Sequence, residues 1–450
     1  MHTTLRSLTD RIDRLPVSRF HVRVLIIAAL SLFFDTLDTV VTGFILAELR
    51  AVWQLDAKAI GIISAIGLSG YLVGSFASGF IADYLGRKKT ILYTLILYSL
   101  FSASRGLSPD VYVFTILNFF TWLFVGAESS VVPPYLAELW PSRVRGKLNG
   151  WMMAFFALGV SMSPLYALYV IPHFGWQWAL FLTLPFALLG GLMRSGLPES
   201  PRWLVSKGRV SEAELVVKII EDTVAAETKQ ALPAVAISPP LPTTTPATLG
   251  DLLGPRFRST TIMLWCAWFA QYGVLYTFLS VLPTVLALEG YSIVKSFQFS
   301  LFIYSAFVPA YILGGYFVEW FDRKYAALGA YFFAAVFGTL FGLSTRPELF
   351  VTFGALTAFS LGIGATFIYT YTPELYPTEI RATGMGIASA WGRVGGILFL
   401  LAFGIFAVLQ GKLALFLVSD GMLTVAFFAV LIFGPSTRGK SLEQTSSLKT

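Results

Sequence analysis

The sequence has very little of the chemistry that enzymes and secreted domains use. A single cysteine, Cys266, excludes a disulfide scaffold, because such a framework needs paired cysteines. Three histidines and one cysteine supply few metal ligands, and no nucleophile–base pair or phosphate loop is visible. These shortages argue against a metalloenzyme, a dehydrogenase or a kinase. We therefore expect no enzymatic activity, no metal and no cofactor.

Charged side chains are also scarce. They make up 13% of the 450 residues, whereas 56% of the residues are hydrophobic. A soluble globular chain has about a quarter of its residues charged, and one soluble core could not bury this much apolar surface. The net charge of +7 would suit nucleic acid, but the basic residues are confined to short gaps between apolar blocks. That placement is typical of membrane topology, so we expect a lipid bilayer as partner and no nucleic acid.

Twelve segments are long and apolar enough to cross a membrane, which takes about 20 helical residues. The first segment is too long and too rich in carboxylates for a signal peptide, so we expect it to be retained. Lys and Arg side chains gather in alternate gaps, and this asymmetry places both termini in the cytoplasm. Arg194 is counted among the cytoplasmic charges of the central loop, and Arg105 among the few external ones. The predicted spans are 23–49, 59–82, 89–106, 111–137, 147–171, 176–194, 259–288, 296–320, 326–344, 348–372, 383–410 and 412–434.

One long polar stretch, 195–258, divides the spans into two sets of six. It contains a charged amphipathic segment at 210–229, predicted to be a helix at the membrane surface, and then a Pro/Thr-rich linker at 233–248. The predicted organisation is an N-terminal six-helix bundle (1–194), a cytoplasmic linker (195–258) and a C-terminal six-helix bundle with a short cytoplasmic tail (259–450).

Glycosylation signals are lacking. The chain has two asparagines, Asn118 and Asn149, and neither begins an Asn-x-Ser/Thr sequon. No predicted extracellular loop is long. These two features favour a prokaryotic inner (plasma) membrane.

The two halves carry the same motifs 236 residues apart. A carboxylate, a tight turn and a basic pair follow the second and the eighth span, and a Glu-Leu-aromatic-Pro segment that ends in Arg follows the fourth and the tenth. Several motif pairs at one offset indicate two bundles related by a parallel repeat, an arrangement typical of carriers that work by alternating access. The matched positions are Asp83 and Glu319, Arg87 and Arg323, Glu138 and Glu374, Arg145 and Arg381, and Arg202 and Arg438.

The charges of these motifs are predicted to close the cytoplasmic side. We expect one network of ion pairs in each half, which holds the inward side shut and breaks when that side opens. The alternative is that these charges only set topology and solvate the loops. The candidate gating residues are Asp83, Arg87, Glu138, Arg145, Glu199 and Arg202 in the first half, and Glu319, Arg323, Glu374, Arg381 and Arg438 in the second.

The same motifs resemble those of the major facilitator superfamily, and more narrowly its sugar-porter and organic-ion branch. The resemblance covers essentially the whole chain. It implies an all-α membrane protein with twelve transmembrane helices in two six-helix bundles, and it places bacterial aromatic-acid and nicotinate permeases among the relatives. The segments that carry it are Gly79-x-x-x-Asp83-x-x-Gly86-Arg87-Lys88, Pro198-Glu199-Ser200-Pro201-Arg202 and Glu374-Leu-Tyr-Pro-Thr-Glu-Ile-Arg381.

Four charged side chains lie deep in predicted spans: Asp35 and Asp38 in the first, Glu128 in the fourth and Arg393 in the eleventh. A charge at the bilayer centre costs roughly 2.5–3.5 kcal/mol on insertion scales. We therefore expect these four to line a central aqueous cavity, with a purely structural buried pair as the alternative. Because three of them are acidic, at least one carboxyl is expected to carry a proton for part of the transport cycle.

Two short motifs resemble those of proton-coupled relatives. Asp38-Thr39 is similar to a pair in the first helix of sugar porters, and Gly126-Ala127-Glu128 is similar to a fourth-helix motif of nicotinate-like carriers. The resemblance implies proton coupling through Asp35, Asp38 and Glu128. One position departs from the pattern, because Asn118 stands where relatives usually have an arginine. The identity of the proton site, and coupling itself, therefore stay open.

A candidate anion site lies in Trp391-Gly-Arg393-Val-Gly-Gly396. Small residues let another backbone approach closely, and a guanidinium can hold a carboxylate with two hydrogen bonds. The motif resembles the eleventh helix of organic-ion carriers, which implies an anionic substrate. The alternative is that Arg393 neutralises Asp35 or Asp38.

Tyrosine and tryptophan recur in the spans expected to line the cavity, including Trp268, Tyr276 and Tyr371. Each offers a flat apolar wall with a polar atom, which suits an aromatic ligand, although aromatic residues also pack or face lipid. The candidate substrate-binding residues are Arg393, Gln271, Tyr272, Tyr369, Trp122 and Asn118.

These features predict a monomeric secondary transporter that imports a small organic solute, with a proton-coupled symporter of an aromatic carboxylate such as nicotinate as the first hypothesis. Alternatives within transport are a sugar or polyol porter, which Asn118 and Gln271 would serve, and an organic-cation porter, which the acidic cavity would serve. A nutrient sensor that no longer transports is a further alternative. The short tail after Phe433 argues against it.

Overall fold

A computed structural model of the protein describes residues 2–235, 249–376, 378–409 and 411–437. All regular structure in these ranges is helical, so the all-α prediction is confirmed. Residues 236–248 of the predicted linker, and the tail from Arg438 onward, lie outside the described residues.

The helices of the first half begin with one short segment and continue with the predicted spans. They are α1 (His2–Asp13), α2 (Arg19–Val52), α3 (Ala57–Leu85), α4 (Arg87–Arg105), α5 (Val111–Leu139), α6 (Arg145–Phe174), α7 (Trp176–Phe181) and α8 (Thr183–Ser195). A short 3-10 helix, Ser142–Val144, precedes α6.

The central polar stretch contributes three helices and the second half seven. They are α9 (Pro201–Ser206), α10 (Val210–Thr228), α11 (Leu249–Leu253), α12 (Arg258–Leu288), α13 (Ile293–Ser305), α14 (Phe307–Trp320), α15 (Arg323–Leu343), α16 (Pro347–Glu374), α17 (Thr378–Leu409) and α18 (Gly411–Phe433). The prediction that 210–229 is helical is confirmed by α10.

Each of the twelve predicted spans coincides with one helix or with a broken pair, α7–α8 for the sixth and α13–α14 for the eighth. In the described part of the chain, ten spans are long and apolar enough to cross a membrane. The third and sixth spans do not reach that standard. The third, α4, has basic residues at both ends, and the two helices of the sixth are short.

The chain forms two compact units. The first contains residues 1–36, 70–159 and 180–242, and the second contains residues 37–69, 160–179 and 243–450. Both units therefore take parts of α2, α3 and the α6–α7 region. The predicted domain boundaries at 194 and 259 follow the sequence halves and stay a prediction.

Within the first unit, α3 and α5 touch backbone to backbone. A Cβ atom on Gly74 would lie 1.8 Å from the carbonyl oxygen of Leu123, and one on Gly126 would lie 2.2 Å from that of Tyr71. Distances this short leave no room for a side chain, so the glycines set the separation of the two helices.

Within the second unit, glycines likewise allow backbone contact between α2 and α12 and between α3 and α17. A Cβ on Gly43 would lie 2.5 Å from the carbonyl oxygen of Ser280, and one on Gly61 would lie 2.4 Å from that of Leu400. The hydroxyl of Ser161 donates to the carbonyl of Tyr304 at 2.8 Å. Segments of the first sequence half are thus held firmly against helices of the second half.

The sequence repeat has a structural counterpart. The hydroxyl of Tyr135, near the end of α5, donates to the carbonyl of Pro198 at 2.6 Å. The hydroxyl of Tyr371, near the end of α16, donates to the carbonyl of Pro435 at 2.6 Å. The two tyrosines are 236 residues apart, so each unit fastens the segment that follows its last bundle helix in the same way.

Outside the spans, α1, α9 and α10 form a cluster of their own in the first unit. Leu8 and Ile12 of α1 pack with Trp203 of α9 and Val217 of α10. Part of the apolar face of α10 is therefore covered by protein. Its predicted position at the membrane surface stays a prediction.

Glu221 of α10 adds charged contacts between α10 and the N-terminal segment. Its carboxylate accepts hydrogen bonds from Arg11 Nε at 3.1 Å and from Arg14 Nη2 at 2.6 Å. Burial by itself would raise the pKa of Glu221, but the hydrogen bonds and charges of the two arginines outweigh it and hold the pKa below its ordinary value.

We expect Glu221→Gln to lower the free energy of unfolding by about 1–3 kcal/mol at neutral pH, because the charge-assisted hydrogen bonds from two arginines are weakened. The pKa of Glu221 is depressed in the folded state, so its contribution is full above the ordinary glutamate pKa and disappears as the pH falls through the folded value. Thermal midpoints of the variant and the wild type in detergent should therefore converge at acidic pH.

Glu212→Gln is the matched control. Glu212 lies on the same helix and pairs with Arg209 at the exposed surface, where ion pairs contribute little. An equal loss of midpoint in both variants would contradict the role assigned to Glu221.

Candidate functional site

A buried group of charges lies in the first unit. Glu128 of α5 forms an ion pair with Arg194 of α8, and the two side chains are 1% and 3% exposed. Arg194 also donates to the carbonyl of Ile91 at 3.1 Å. Asp35 of α2, itself buried, adds electrostatic attraction to the same guanidinium.

The sequence placed Arg194 among the loop charges that set topology, and the structure corrects this. Arg194 belongs to the last turn of α8, where packing against α4 and α5 buries it. A buried carboxylate needs a partner, since unpaired charges are costly in an apolar interior. Glu128 thus has its counter-ion within its own unit.

The ion pair leaves one oxygen of Glu128 without a hydrogen-bond partner. Oε1 faces Arg194, whereas Oε2 is buried and accepts no hydrogen bond from the described residues. Glu128 therefore interacts with Arg194 through one of its two carboxylate oxygens.

Asp38 lies in the second unit, although Asp35 is only one helical turn away in the first. Its side chain is 2% exposed, and its backbone carbonyl accepts a hydrogen bond from Thr42 at 3.0 Å. The division of α2 between the units falls between these two carboxylates. Their assignment to proton coupling stays a prediction.

Asn118 is tied to a second buried arginine that the sequence had counted as an external topology charge. Arg105, at the end of α4, is fully buried. It donates to Asn118 Oδ1 at 2.9 Å and to the hydroxyl of Ser102 at 2.8 Å. Asn118 thus binds a guanidinium although the arginine expected at its own position is missing, and its predicted substrate contact stays a prediction.

Trp122 lies one turn beyond Asn118 on α5. It is 5% exposed, and its ring meets Tyr71 of α3 edge-on with centroids 6.4 Å apart. The hydroxyls of Tyr71 and Ser129 are 2.5 Å apart. The structure therefore shows Trp122 as part of the α3–α5 interface of the first unit.

In the second unit, α17, the helix that carries Arg393, packs against the aromatic helix α12 through its glycines. A Cβ on Gly392 would lie 3.0 Å from Cβ of Tyr272, and one on Gly396 would lie 2.9 Å from the ring of Tyr276. Arg393 Nη1 donates to the carbonyl and the hydroxyl of Ser389, one turn earlier. The glycines allow this close approach, as the sequence predicted.

An aromatic cluster stands on α12 and α16. Trp268 and Tyr272 stack with ring centroids 4.9 Å apart, and Tyr369 meets Trp268 edge-on at 4.8 Å. The hydroxyls of Tyr272 and Tyr369 are hydrogen-bonded. These three residues were considered as cavity residues on the basis of the sequence. Tyr311 of α14, whose hydroxyl lies near that of Tyr369, was not predicted.

Gln271 is buried beside this cluster. Its Nε2 donates to the carbonyl of Leu361 on α16 at 2.8 Å, and Gly364 leaves room for its Oε1. Oε1 has no hydrogen-bond partner among the described residues. Gln271 therefore connects α12 to α16, and a direct substrate contact stays a prediction.

The predicted gating residues of the first unit gather around the turn between α3 and α4. Arg87 Nη1 donates to Asp83 Oδ1 at 2.7 Å. Glu199 Oε1 accepts from the backbone amides of Arg87 at 2.9 Å and Lys88 at 3.1 Å. Gly86, with φ of 100°, permits the turn that presents these amides.

Glu138 accepts a hydrogen bond from the hydroxyl of Ser200. Arg202 is exposed, and Arg145 starts α6, but its side chain lies outside what the structure describes. The segment after α8 thus binds the turn through Glu199 and binds α5 through Ser200. A role for these contacts in gating stays a prediction.

The corresponding turn of the second unit uses a different pairing. Arg323 Nε donates to Glu374 Oε1 at 3.2 Å, and Asp322 accepts from the hydroxyl of Ser436. Arg381 Nε donates to the carbonyl of Tyr376 at 3.3 Å. The side chain of Glu319 and the whole of Arg438 lie outside the described residues, so two of the five residues predicted for this network cannot be placed.

One deep carboxylate was overlooked in the sequence. Asp420 lies in the middle of α18, next to Ser419, and is 6% exposed. Its Oδ2 accepts a hydrogen bond from the hydroxyl of Thr339 on α15 at 2.8 Å. An acidic residue inside the apolar segment 412–434 was the signal that would have identified it.

Comparison with known proteins agrees with this architecture. The family described as "Sugar (and other) transporter" matches residues 24–448. The niacin transporter of Acinetobacter baylyi is 32% identical over 438 residues, covering 97% of this chain and 99% of that protein. The gallate transporter of Pseudomonas putida is 30% identical over 392 residues and covers 86% of each chain.

A solved structure shares the fold. The xylose transporter of E. coli, in a partially occluded inward-open conformation, superimposes with a TM-score of 0.74 and 20% identity, covering 94% of this chain and 100% of that one. The predicted fold class is therefore confirmed. The chain belongs to the sugar (and other) transporter family of the major facilitator superfamily, and it is an integral membrane transporter of small solutes rather than an enzyme.

Proposed function

We propose that this chain imports a small aromatic carboxylate, with nicotinate as the first candidate, together with protons and by alternating access. The observation that carries the proposal is the packing of α17, with Arg393, against the aromatic cluster of α12 and α16. An aromatic acid needs both parts, a cation for its carboxylate and a flat wall for its ring. Relatives named as niacin, gallate and 4-hydroxybenzoate transporters support this substrate class.

Recognition of the carboxylate is assigned to Arg393. Ser389 holds Nη1 and so orients the guanidinium plane. A planar guanidinium binds a carboxylate with two parallel hydrogen bonds, a geometry that an uncharged amide does not match. The ring of the substrate would then lie against Tyr272 and Tyr369, whose hydroxyls can bind a ring nitrogen or a ring hydroxyl.

Proton coupling is assigned to the acidic residues on α2 and α5. Glu128 forms an ion pair with Arg194, and Asp35 attracts the same guanidinium, so the two carboxyls belong to one buried site. The proposal places the coupled proton on one of these carboxyls. Asp38 is the third predicted member, placed in the other unit.

The surroundings of the protein follow from the same proposal. We assign it to the inner membrane as a monomer, with both termini in the cytoplasm, since basic residues gather on that side of the predicted spans. The predicted gating turns would then lie on the cytoplasmic face.

Substrate binding provides the first test, with Arg393→Gln as the variant. We expect nicotinate to raise the thermal midpoint of the wild type in detergent, because a ligand of the native state stabilises it by mass action. Its uncharged amide should not. Arg393→Gln should lose the nicotinate shift while its own midpoint without ligand stays close to that of the wild type.

Arg346→Gln is the control, because Arg346 is an exposed residue at the start of α16. It should keep the full nicotinate shift. A hexose or a quaternary amine that stabilises the protein in place of nicotinate would overturn the substrate class. An unchanged nicotinate shift in Arg393→Gln would overturn the role of the arginine.

A double-mutant cycle tests the ion pair of Glu128 and Arg194. Removing one partner leaves a buried charge unmatched, so Arg194→Gln should lose about 3–5 kcal/mol of stability. The double variant with Glu128→Gln should be more stable than Arg194→Gln alone, because both charges are then absent. Midpoints in detergent measure this, and additive losses would show that the two residues do not act as a pair.

Asp38→Asn tests proton coupling in liposomes. We expect the variant to lose accumulation of nicotinate driven by a proton gradient, because that step requires a titrating carboxyl. Exchange of labelled for unlabelled nicotinate moves no net protons and should persist. Asp222→Asn, on the exposed side of α10, should keep both activities, and gradient-driven accumulation by Asp38→Asn would exclude Asp38 as a coupling residue.

A further inference from the structure

A small cavity in the second unit lies between α12, α15, α16 and α18, apart from Arg393. Its walls are mostly valine, leucine and phenylalanine, and its size suits about one water molecule. Asp420 supplies the carboxylate at its edge, and Thr277 and Thr357 supply hydroxyls from two other helices. A polar group at the edge of so apolar a cavity requires an explanation.

The helix α15 is shaped to receive the carboxylate. A Cβ on Gly338 would lie 2.4 Å from Asp420 Oδ1, so any side chain there would displace it. The next residue, Thr339, donates to Oδ2 at 2.8 Å. One oxygen of Asp420 is therefore bound by a neutral donor, and the other lies in the space that the glycine leaves.

Asp420 has no counter-charge in the part of the chain that the structure describes. The residues that line the cavity on the four helices include no other ionisable side chain. Among the described residues, no Lys, Arg or His forms an ion pair with its carboxylate. An ionised carboxylate without a counter-ion is costly in a membrane interior, so a proton or a small cation must balance it.

A second polar group in the cavity lacks a partner. Thr277 is 4% exposed, and its hydroxyl makes no hydrogen bond with the described residues. The hydroxyls of Ser419 and Thr357 each donate to a backbone carbonyl of their own helix and can still accept. One water molecule would satisfy Thr277 and reach the carboxyl, since a buried water typically makes about three hydrogen bonds.

From this geometry we infer that Asp420 is a proton-binding site of the second unit, with one water molecule that bridges it to Thr277. The site holds a proton rather than an organic ligand, because the cavity is too small for more than a water molecule. A metal ion such as Na⁺ fits less well, because its shell of oxygen ligands is not available in walls so largely apolar.

The helix α12 connects the proposed proton site to the aromatic cluster. Thr277 follows Tyr276 directly on α12, and Tyr272 lies on the turn before. A change in the protonation of Asp420 alters the packing of the helix that carries these tyrosines. The coupling to substrate rests on the proposed function, whereas the proton site does not.

Infrared difference spectroscopy between alkaline and acidic buffers tests the site without any substrate. A protonated carboxyl absorbs apart from a carboxylate, and its band shifts when H₂O is replaced by D₂O. Asp35, Asp38 and Glu128 are buried as well and can contribute bands of their own. We therefore expect the protonated-carboxyl signal of wild-type protein in detergent to contain one component that Asp420→Asn lacks. Asp222→Asn, an exposed acid on α10, should retain it. A protonated-carboxyl signal that is the same in Asp420→Asn as in the wild type would overturn the assignment.

Thr277→Val tests the water bridge without removing the carboxyl of Asp420. This variant keeps the carboxyl and the shape of its surroundings, so the band should remain but move in frequency. An unmoved band would exclude the bridge. Replacing Na⁺ by a large organic cation should change nothing, and a carboxyl spectrum that depends on Na⁺ would show a metal site in place of the proton site.

Nicotinate affinity measured over the same pH range tests the coupling. Wild-type affinity should vary with pH, by up to about tenfold for each unit of pH if one proton is exchanged, and Asp420→Asn should remove part of that variation. A loss of the infrared band with an unchanged pH profile would overturn the coupling alone. If no nicotinate binds, the substrate proposal fails and the spectrum still decides the proton site.

Discussion

Burial of charge in an apolar interior is the constraint on which the rest of this structure depends. A chain with so few charged residues places several of them where water is excluded, and each needs a counter-charge or a hydrogen bond. Glu128 has Arg194, Arg105 has Asn118, and Asp420 has Thr339. The positions of α4, α5 and α8 in the first unit, and of α15 and α18 in the second, are those that allow these contacts.

Close contacts at glycines also determine how the helices pack. Backbone contacts at Gly74 and Gly126 bring α5 against α3, and those at Gly43 and Gly61 bring α2 and α3 against helices of the second half. Such contacts leave no side chain to adjust, so the helices meet at defined distances. The same kind of contact holds α17 against α12, since a Cβ on Gly395 would lie 2.3 Å from the carbonyl oxygen of Phe269. It sets Arg393 and the aromatic cluster on two helices that touch, and this pairing is the basis of the proposed aromatic-acid site.

Most of the fold could be predicted from the sequence. Long apolar runs predict spanning helices, and every predicted span coincides with a helix or a broken pair. The 236-residue repeat predicted two related halves, and the matching hydrogen bonds of Tyr135 and Tyr371 reflect it. Individual site residues were harder to place. Arg194 and Arg105 were read as topology charges because both lie at the end of an apolar run, where most arginines do remain in water.

The sequence by itself determined the membrane class, the number of helical spans, the repeat and the family, because these depend on local composition and on motifs at fixed spacing. Only the tertiary structure decided which charges pair. The partners lie far apart in the sequence, as Glu128 and Arg194 do, and no local pattern records that they meet. The cavity beside Asp420 is likewise built by four helices from different parts of the second half. Its unmatched carboxyl and hydroxyl become visible only when those helices are packed together.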